Sequence, residues 1–279
     1  MEIRGRGVTI VRYVTGGILG SARTSLATSP HDVRLMTMIE VESILTSSRL
    51  GRAYTVWSVR GTESTSAGLC LFLDGEFYRQ RMATVDIVNR LIAEKKIPPV
   101  NLIFVSHIDS DARHRDYICN PDYTAFLAEE LLPWVAKSGL STSSDVLLAG
   151  LSLSGLAAAY AGVEYPHLFT RVLCQSPSAW WSNEWLTSHV MRRSHISSSF
   201  WISVGSEEND DNVRHSPTLE QKVSQRISCQ ALANSLTQCS ARTLFHEYPG
   251  GHTLLDWEQD LPQALGWLYS DRVDQSQES

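Results

Sequence analysis

Short runs of apolar residues alternate with longer amphipathic stretches along most of this 279-residue chain. Seven of the runs have the length and composition of β-strands. Several are apolar without interruption, which is typical of strands buried on both faces of a sheet. Between residues 53 and 249 the predicted strands are AYTVWSV, GLCLFLDG, VNLIFVSHI, DVLLAG, RVLCQS, FWISVG and RTLFHEYP.

Two of the intervening stretches have the apolar spacing of amphipathic helices. In DYTAFLAEELLPWV, apolar residues from Tyr123 to Trp134 share one helical stripe. In TLEQKVSQRISCQALANSL, residues 218–236, apolar residues recur at helical spacing from Leu219 to Leu236. Strands that alternate with helices predict an α/β fold with a mostly parallel sheet and helices on both faces. Ligands of such sheets bind beyond the carboxyl ends of the strands, so chemistry is expected in the loops that follow them.

The same pattern predicts how the chain is organised. Its length fits one large α/β domain with a sizeable core. Residues 1–42 are weakly patterned and predict an N-terminal extension or a pair of peripheral strands. Residues 43–270 carry the alternating pattern and form the predicted α/β domain, and the polar residues 271–279 predict a frayed tail.

Composition argues against several classes of protein. The chain has 24 basic and 30 acidic residues, and its net charge of -6 argues against nucleic-acid binding, which needs a basic surface. No apolar window is long enough for a membrane span. Arginines interrupt the apolar stretch at the N-terminus, which makes it a poor signal peptide. The five cysteines lack metal-site spacing and indicate reduced thiols. We therefore expect a cytoplasmic protein without a metal, a cofactor, a nucleic-acid partner or a membrane partner.

Two serines lie in the turn between the predicted strand DVLLAG and an alanine-rich helix. A nucleophile elbow needs small residues two positions before and after its serine, because the backbones come close together there. Ser152 has Gly150 and Ser154 at these positions, whereas Ser154 would have Ser152 and Leu156. Leucine is too bulky for this position, so the pattern favours Ser152 as the nucleophile. The structural alternative is a serine that caps the helix.

A serine hydroxyl becomes nucleophilic when a histidine accepts its proton and a carboxylate orients that histidine. In α/β-hydrolases the order along the chain is serine, acid, histidine. His252 follows the last predicted strand, in a loop whose two glycines allow the ring to turn toward the sheet edge. The acid is expected after the strand FWISVG, where four of the five residues from 207 to 211 are acidic. We favour Glu208, and Glu207 and Asp210 stay open as alternatives.

The oxyanion that forms when a serine attacks a carbonyl group also needs two backbone N–H groups to stabilise it. The first is expected at Leu153, the residue after the nucleophile, at the N-terminus of the following helix. The second is expected at Gly75, at the end of GLCLFLDG, where a glycine lets the backbone approach the substrate closely. A plain turn is the structural alternative for Gly75.

Longer blocks of the sequence carry a family resemblance. The chain contains, in this order, RLGRAYTVWSVRG, LDGEFYRQRM, IPPVNLIFVSHID, RHRDYICNPDYTAFLAEELLPWV, GLSLSGLAAAYAGVEYPHLFTRVLCQSPSAWW and GGHTLLDW. From about residue 43 to 268, these blocks resemble the catalytic domain of enterochelin (enterobactin) esterases, within the esterase D-like α/β-hydrolases.

The resemblance implies an α/β-hydrolase fold and a serine esterase or lactonase. Its expected partner is a small-molecule ester, a cyclic triserine trilactone that carries catechol groups, whose hydrolysis releases iron from the siderophore. The resemblance supports Ser152 as nucleophile and His252 as base, while the position of the acid varies in the family. Full-length family members carry a substantial N-terminal domain, whereas about 42 residues precede the match here. Because this fold serves many acyl substrates, an acyltransferase or a macrolactone-processing enzyme is the alternative function.

A basic cluster and a tryptophan pair are the candidates for substrate binding. Arg113 lies in HIDSDARHRDY, after a predicted strand, where positive charge would attract an anionic ferric catecholate. The family pattern has an acid at Asp116, so a salt bridge between Arg113 and Asp116 is the structural alternative. Trp180 and Trp181 follow the strand RVLCQS and are expected to form a wall against aryl groups, or else to lie in the core.

Overall fold

The computed structural model describes residues 10–14, 38–61, 67–140, 145–216 and 219–270. Its strands are β1 (Ile10–Val14), β2 (Met38–Ser47), β3 (Arg52–Gly61), β4 (Gly68–Phe72), β5 (Val100–Val105), β6 (Val146–Leu151), β7 (Arg171–Gln175), β8 (Ser199–Gly205), β9 (Val213–Ser216), β10 (Leu219–Gln221) and β11 (Arg242–Tyr248). Its helices are α1 (Gly75–Gln80), α2 (Thr84–Ala93), α3 (Ser110–Tyr117), α4 (Pro121–Ala125), α5 (Leu132–Lys137), α6 (Leu153–Glu164), α7 (Trp181–Val190), α8 (Gln225–Gln238) and α9 (Leu254–Tyr269). A π-helical turn, Phe126–Leu131, joins α4 to α5.

Nine of the described strands form one mixed sheet, in the spatial order β1-β2-β3-β5-β4-β6-β7-β8-β11. The pairs from β5 to β11 are parallel, whereas β1, β2 and β3 pair antiparallel and β3 joins β5 antiparallel. Strands β9 and β10 form a separate hairpin. Helices cover both faces of the large sheet, as in an α/β-hydrolase. The predicted fold class is confirmed.

Each face of the sheet is buried under its own hydrophobic cluster. Helices α4 to α8 cover one face, and α1, α2 and α9 cover the other. Strand β6 serves both clusters, because Leu148 points to the first while Leu147 and Ala149 point to the second. A strand with two buried faces has no solvent-facing positions, and this explains the uninterrupted apolar runs in the sequence.

The two predicted helices have different outcomes. DYTAFLAEELLPWV is helical through α4, the π-helical turn and α5, as predicted. The prediction of one helix over 218–236 was wrong at its start, because Leu219–Gln221 forms β10 and α8 begins at Gln225. The side chain of Ser224 accepts a hydrogen bond from the backbone N–H of Ile227, and this N-cap sets the start of α8 at the next residue. Ile227 is 60% exposed, so the apolar residues that share helical spacing across this boundary do not form one buried helical face.

The predicted extension, residues 1–42, lies largely outside the described residues, and the predicted tail, residues 271–279, lies wholly outside them. Within the described part, β1 and β2 form the antiparallel edge of the large sheet. None of the helices in this part of the chain is long and apolar enough to cross a membrane.

The carboxyl ends of the parallel strands gather the candidate site. Ser152 follows β6, Glu208 follows β8, and His252 follows β11. Because these strands point the same way, loops that are far apart in the sequence meet at one edge of the sheet.

Candidate active site

Ser152 occupies a strained turn between β6 and α6. Its backbone has φ 54° and ψ −120°, a conformation that residues other than glycine seldom adopt. The turn is tight, because a Cβ at Gly150 would lie 2.2 Å from the carbonyl oxygen of Ser154. A Cβ at Gly155 would lie 3.1 Å from Cα of Pro177. This geometry explains the small residues around Ser152 and presents its side chain at the sheet edge.

Ser154 is hydrogen-bonded to the turn itself. Its Oγ accepts from the backbone N–H of Leu151 at 2.9 Å and donates to the carbonyl of Leu151 at 2.8 Å. The residue is fully buried. Of the two serines in the motif, Ser152 is the one that lines a cavity.

His252 contacts both Ser152 and a carboxylate. Its Nε2 lies 3.0 Å from Oγ of Ser152, and its Nδ1 lies 2.6 Å from Oε2 of Glu208. An ionised carboxylate only accepts hydrogen bonds, so Nδ1 carries the proton and Nε2 is free to accept from the serine hydroxyl. The three side chains thus form a continuous hydrogen-bonded series.

Glu208 is the acid of the cluster that reaches the histidine. It is 8% exposed, and the backbone N–H of Gly205 donates to its Oε1 at 2.8 Å. The alternatives Glu207 and Asp210 line the cavity without such a contact to His252. Burial and the contact with His252 therefore distinguish Glu208 from Glu207 and Asp210, which charge alone does not.

The two predicted oxyanion donors lie in different surroundings. Leu153 begins α6 and lines the cavity, and the first amides of a helix lack intrahelical partners. Gly75 is buried at the start of α1 and lies outside the residues that line the cavity. A Cβ at Gly75 would come within 3.0 Å of the backbone N and O of Val105, so this glycine permits close packing of α1 against β5. The oxyanion role of both residues stays a prediction.

The two tryptophans also separate. Trp180 lines the cavity although it is only 5% exposed, and its indole N–H donates to Oε1 of Gln225. The His215 ring stacks on it, with centroids 4.9 Å apart and an interplanar angle of 11°. Trp181 instead packs against the core beside Trp185 and lies outside the lining residues. Trp180 and His215, the latter not singled out from the sequence, therefore form a stacked pair in the cavity lining, and a role in binding aryl groups stays a prediction.

Arg113 is half-buried and forms an ion pair with the fully buried Asp74. Its Nε and Nη2 donate to the two carboxylate oxygens of Asp74 at 2.8 and 2.6 Å. The alternative pairing with Asp116 does not form, because Asp116 accepts from Tyr54 at 2.8 Å and from Arg52. Asp116 is thus bonded to two residues of β3.

Two further groups complete the charge balance around Asp74. His107 Nδ1 lies 3.1 Å from Asp74 and 3.0 Å from Glu76, and these hydrogen bonds raise the pKa of His107 to about 9. Burial alone would raise the pKa of Asp74, but the bonds from His107 and Arg113 outweigh it and lower that pKa. The two carboxylates and two cations compensate one another, which leaves Arg113 with less net attraction for anions than a free arginine would have.

A cavity of about 640 Å³ opens beside Ser152 and His252. Its lining combines basic groups on α3, aromatic rings and the acidic loop after β8: Arg113, His114, Trp180, His215, Glu207 and Asp210. This volume falls within the range of pockets that bind small molecules.

The fold and the hydrogen-bonded Ser152, His252 and Glu208 define a protein of the α/β-hydrolase class. A model of the family described as "Putative esterase" matches residues 47–268. The chain belongs to this esterase family, and the resemblance noted in the sequence is confirmed.

The similar proteins include siderophore esterases. Iron(III) enterobactin esterase of Escherichia coli O6:H1 (strain CFT073) is 30% identical over 228 residues, which are 80% of this chain and 56% of that protein. This chain thus spans little more than half of that relative. The enterobactin esterase structure from Shigella flexneri in the presence of enterobactin has a TM-score of 0.71 and 27% identity, over 82% of this chain and 58% of that one. An IroE-like serine hydrolase from Shewanella oneidensis, with a TM-score of 0.62 and 21% identity, covers 82% of this chain and 80% of its own and shares the fold.

Several residues of the site were missed in the sequence. Asp74 and His107 lie near the ends of two predicted strands. Because ligands bind beyond the carboxyl ends of such strands, this position could have identified both residues as candidates. His215 lies in a polar segment without periodicity, so its stacking on Trp180 left no pattern in the sequence. Ser176, next to Glu208, stands in the block QSPSAWW and was noted only as part of the family resemblance.

Proposed function

We propose that this protein is a serine esterase that works through an acyl-enzyme, with Ser152 as nucleophile, His252 as general base and Glu208 as the acid that orients it. The observation that carries the proposal is the pair of contacts from His252, 3.0 Å to Ser152 and 2.6 Å to Glu208, at a strained strand-to-helix turn. Membership of the esterase family supports it.

In this mechanism the proton of the Ser152 hydroxyl passes to Nε2 of His252 as Oγ attacks the ester carbonyl. The N–H of Leu153 stabilises the oxyanion, and Glu208 stabilises the imidazolium. His252 then protonates the leaving alcohol, and an acyl group remains on Ser152. A water molecule gives a proton to His252, attacks the acyl-enzyme and releases the carboxylic acid, and the proton returns to Ser152.

Hydrolysis, rather than acyl transfer, is supported by the openness of the site. The His252 side chain is 43% exposed, so water can reach the position of the acyl-enzyme. An acyltransferase has to keep water away from this intermediate.

We propose an aryl-bearing siderophore ester as the substrate class. The names of the relatives support this class, and so does the stacked pair of Trp180 and His215, which offers an aromatic surface in the cavity. Asp74 occupies Nε and Nη2 of Arg113, which leaves Nη1 for an anionic group of the substrate.

A substrate panel tests this function. It contains p-nitrophenyl esters and linear and cyclic catechol–serine esters, each with and without iron where they bind it, and the products are identified by mass spectrometry. We expect the free acid and the free alcohol from the catechol–serine esters, with kcat/KM above that of p-nitrophenyl acetate. Transfer of the acyl group to an added alcohol or amine in preference to water would contradict hydrolysis.

Substitution of Arg113 by alanine is expected to raise KM for anionic catecholate esters about tenfold while kcat changes little, the pattern of lost uniform binding. The effect should be smaller for a neutral p-nitrophenyl ester and should shrink at 1 M salt, where the Debye length is about 3 Å. Thermal stability should also fall, because the buried Asp74 keeps His107 but loses its arginine partner.

The exposed Arg115 of the same helix provides the matched control, and Arg115→Ala should leave both KM values unchanged. Equal losses on the anionic and neutral esters in Arg113→Ala would mean that Arg113 acts only through its structural pair with Asp74.

A further inference from the structure

We propose that Ser176 is a positioning residue for Glu208, a role that rests on the proposed function of Glu208 as the acid of the triad. Ser176 follows β7, and its Oγ lies 2.6 Å from Oε1 of Glu208. The residue is fully buried and lies outside the lining of the cavity. It can therefore influence the reaction through Glu208 but not by touching the substrate.

The neighbours of Ser176 determine where its proton points. The indole N–H of Trp257 lies 2.9 Å from Oγ of Ser176, and an indole can only donate, so the serine oxygen accepts this bond. The carboxylate of Glu208 can only accept, so the serine proton points to Glu208. The Tyr248 hydroxyl lies 3.2 Å from the same Oγ and 3.4 Å from the carbonyl oxygen of Gly251. The indole donor and the carboxylate acceptor therefore orient the Ser176 hydroxyl.

This arrangement holds the carboxylate in one rotamer. Oε1 of Glu208 receives two hydrogen bonds, from Ser176 and from the backbone N–H of Gly205 at 2.8 Å. Oε2 is left for His252, at 2.6 Å. Without the Ser176 bond, Glu208 would keep one anchor on Oε1 and gain freedom to turn away from His252.

The backbone at Ser176 supports the same interpretation. Its φ is 42°, in the left-handed region that a serine adopts at a cost in free energy. Its N–H donates to the carbonyl of Ser203 at 2.8 Å, which fixes the loop against β8, the strand that precedes Glu208. Strained residues held by such bonds are found preferentially at functional sites.

Trp257 connects this support to the base. Its ring meets the ring of His252 edge to face, with centroids 4.7 Å apart, while its N–H donates to Ser176. The Gln175 side chain donates to the carbonyl of Trp257 at 2.7 Å and so anchors this turn of α9 to β7. Ser176 and Trp257 therefore fix the positions of Glu208 and His252 relative to each other.

A double-mutant cycle tests the proposal. Ser176→Ala is made in the wild type and in Glu208→Ala, and kcat and KM are measured with p-nitrophenyl butyrate. The same four proteins are compared by the second-order rate at which a fluorophosphonate labels Ser152. We expect Ser176→Ala to lower kcat and the labelling rate roughly 10- to 100-fold in the wild type, as for a lost bond to a charged group, with KM within about twofold. In the Glu208→Ala background the further loss should be below about threefold, because the residue acts through the missing carboxylate.

Two additional variants keep the test independent of folding. Ser198 is an equally buried serine that donates to the carbonyls of Gly162 and Phe169, and Ser198→Ala should keep the wild-type kcat. Trp257→Phe keeps an aromatic ring beside His252 but removes the indole N–H that donates to Ser176. It should lower kcat by a smaller factor than Ser176→Ala.

The outcomes separate this proposal from the proposed function. Equal losses in the two backgrounds, or no loss in Ser176→Ala, would overturn the positioning role and leave Glu208 as the acid. Wild-type kcat in Glu208→Ala would overturn the acid assignment and the positioning role together. Failure of the probe to label Ser152 in the wild type would overturn the serine mechanism itself.

Discussion

Ser152→Ala is expected to lower kcat for every ester on the order of 10⁵-fold and to abolish labelling by a fluorophosphonate. The physical reason is that the variant lacks the hydroxyl that lies 3.0 Å from His252. What activity remains comes from binding and from the oxyanion donors, without a covalent intermediate. Intact-protein mass spectrometry measures the label, with one equivalent expected on the wild type and none on the variant.

Ser154→Ala is the matched control, because Ser154 lies two residues away in the same turn and its Oγ is bonded to the backbone of Leu151. It should still take up one equivalent of label, with a lower melting temperature from the loss of these bonds. Labelling that survives in Ser152→Ala and disappears in Ser154→Ala would show that the nucleophile is the other serine.

The second largest effect is expected for His252→Ala, with kcat lowered on the order of 10⁴-fold because the members of a triad act as a unit. KM should change far less, since the imidazole acts in the transition state. His195, which is exposed, supplies the control, and His195→Ala should keep the wild-type kcat. Activity of His252→Ala within about tenfold of the wild type would mean that another histidine is the base.

The acid is tested in the same series. Glu208→Gln should lose less than His252→Ala, because an amide still fills the site but no longer stabilises the imidazolium. Glu207→Gln and Asp210→Asn change charge at the cavity wall and should keep most of kcat. A loss confined to either of these two variants would move the acid there.

Features that depend on residues close together in the chain could be predicted from the sequence. The apolar runs predicted the parallel strands, because a strand buried on both faces has no polar positions. The choice of Ser152 over Ser154 followed from the sizes of residues within the same turn, where Gly150 has no space for a Cβ. Both inferences depend on contacts between near neighbours along the chain, so the tertiary structure was not needed for them.

The ends of helices were harder to predict from the sequence. The helix predicted over 218–236 begins instead at Gln225. The predicted start was too early because Leu219 of β10 happens to continue the helical spacing. The cap at Ser224 was a readable signal for the true start, but periodicity alone did not give it priority.

Tertiary structure decided which polar side chains meet. Four acids lie between residues 207 and 211, and only the turn after β8 shows that Glu208 is the one that points inward to His252. Arg113 pairs with Asp74, 39 positions away, rather than with Asp116 on its own helix, whose carboxylate is bonded to Arg52 and Tyr54 of β3. Strand order and helix orientation set such contacts over long separations in the chain, where neither spacing nor charge identifies the partner.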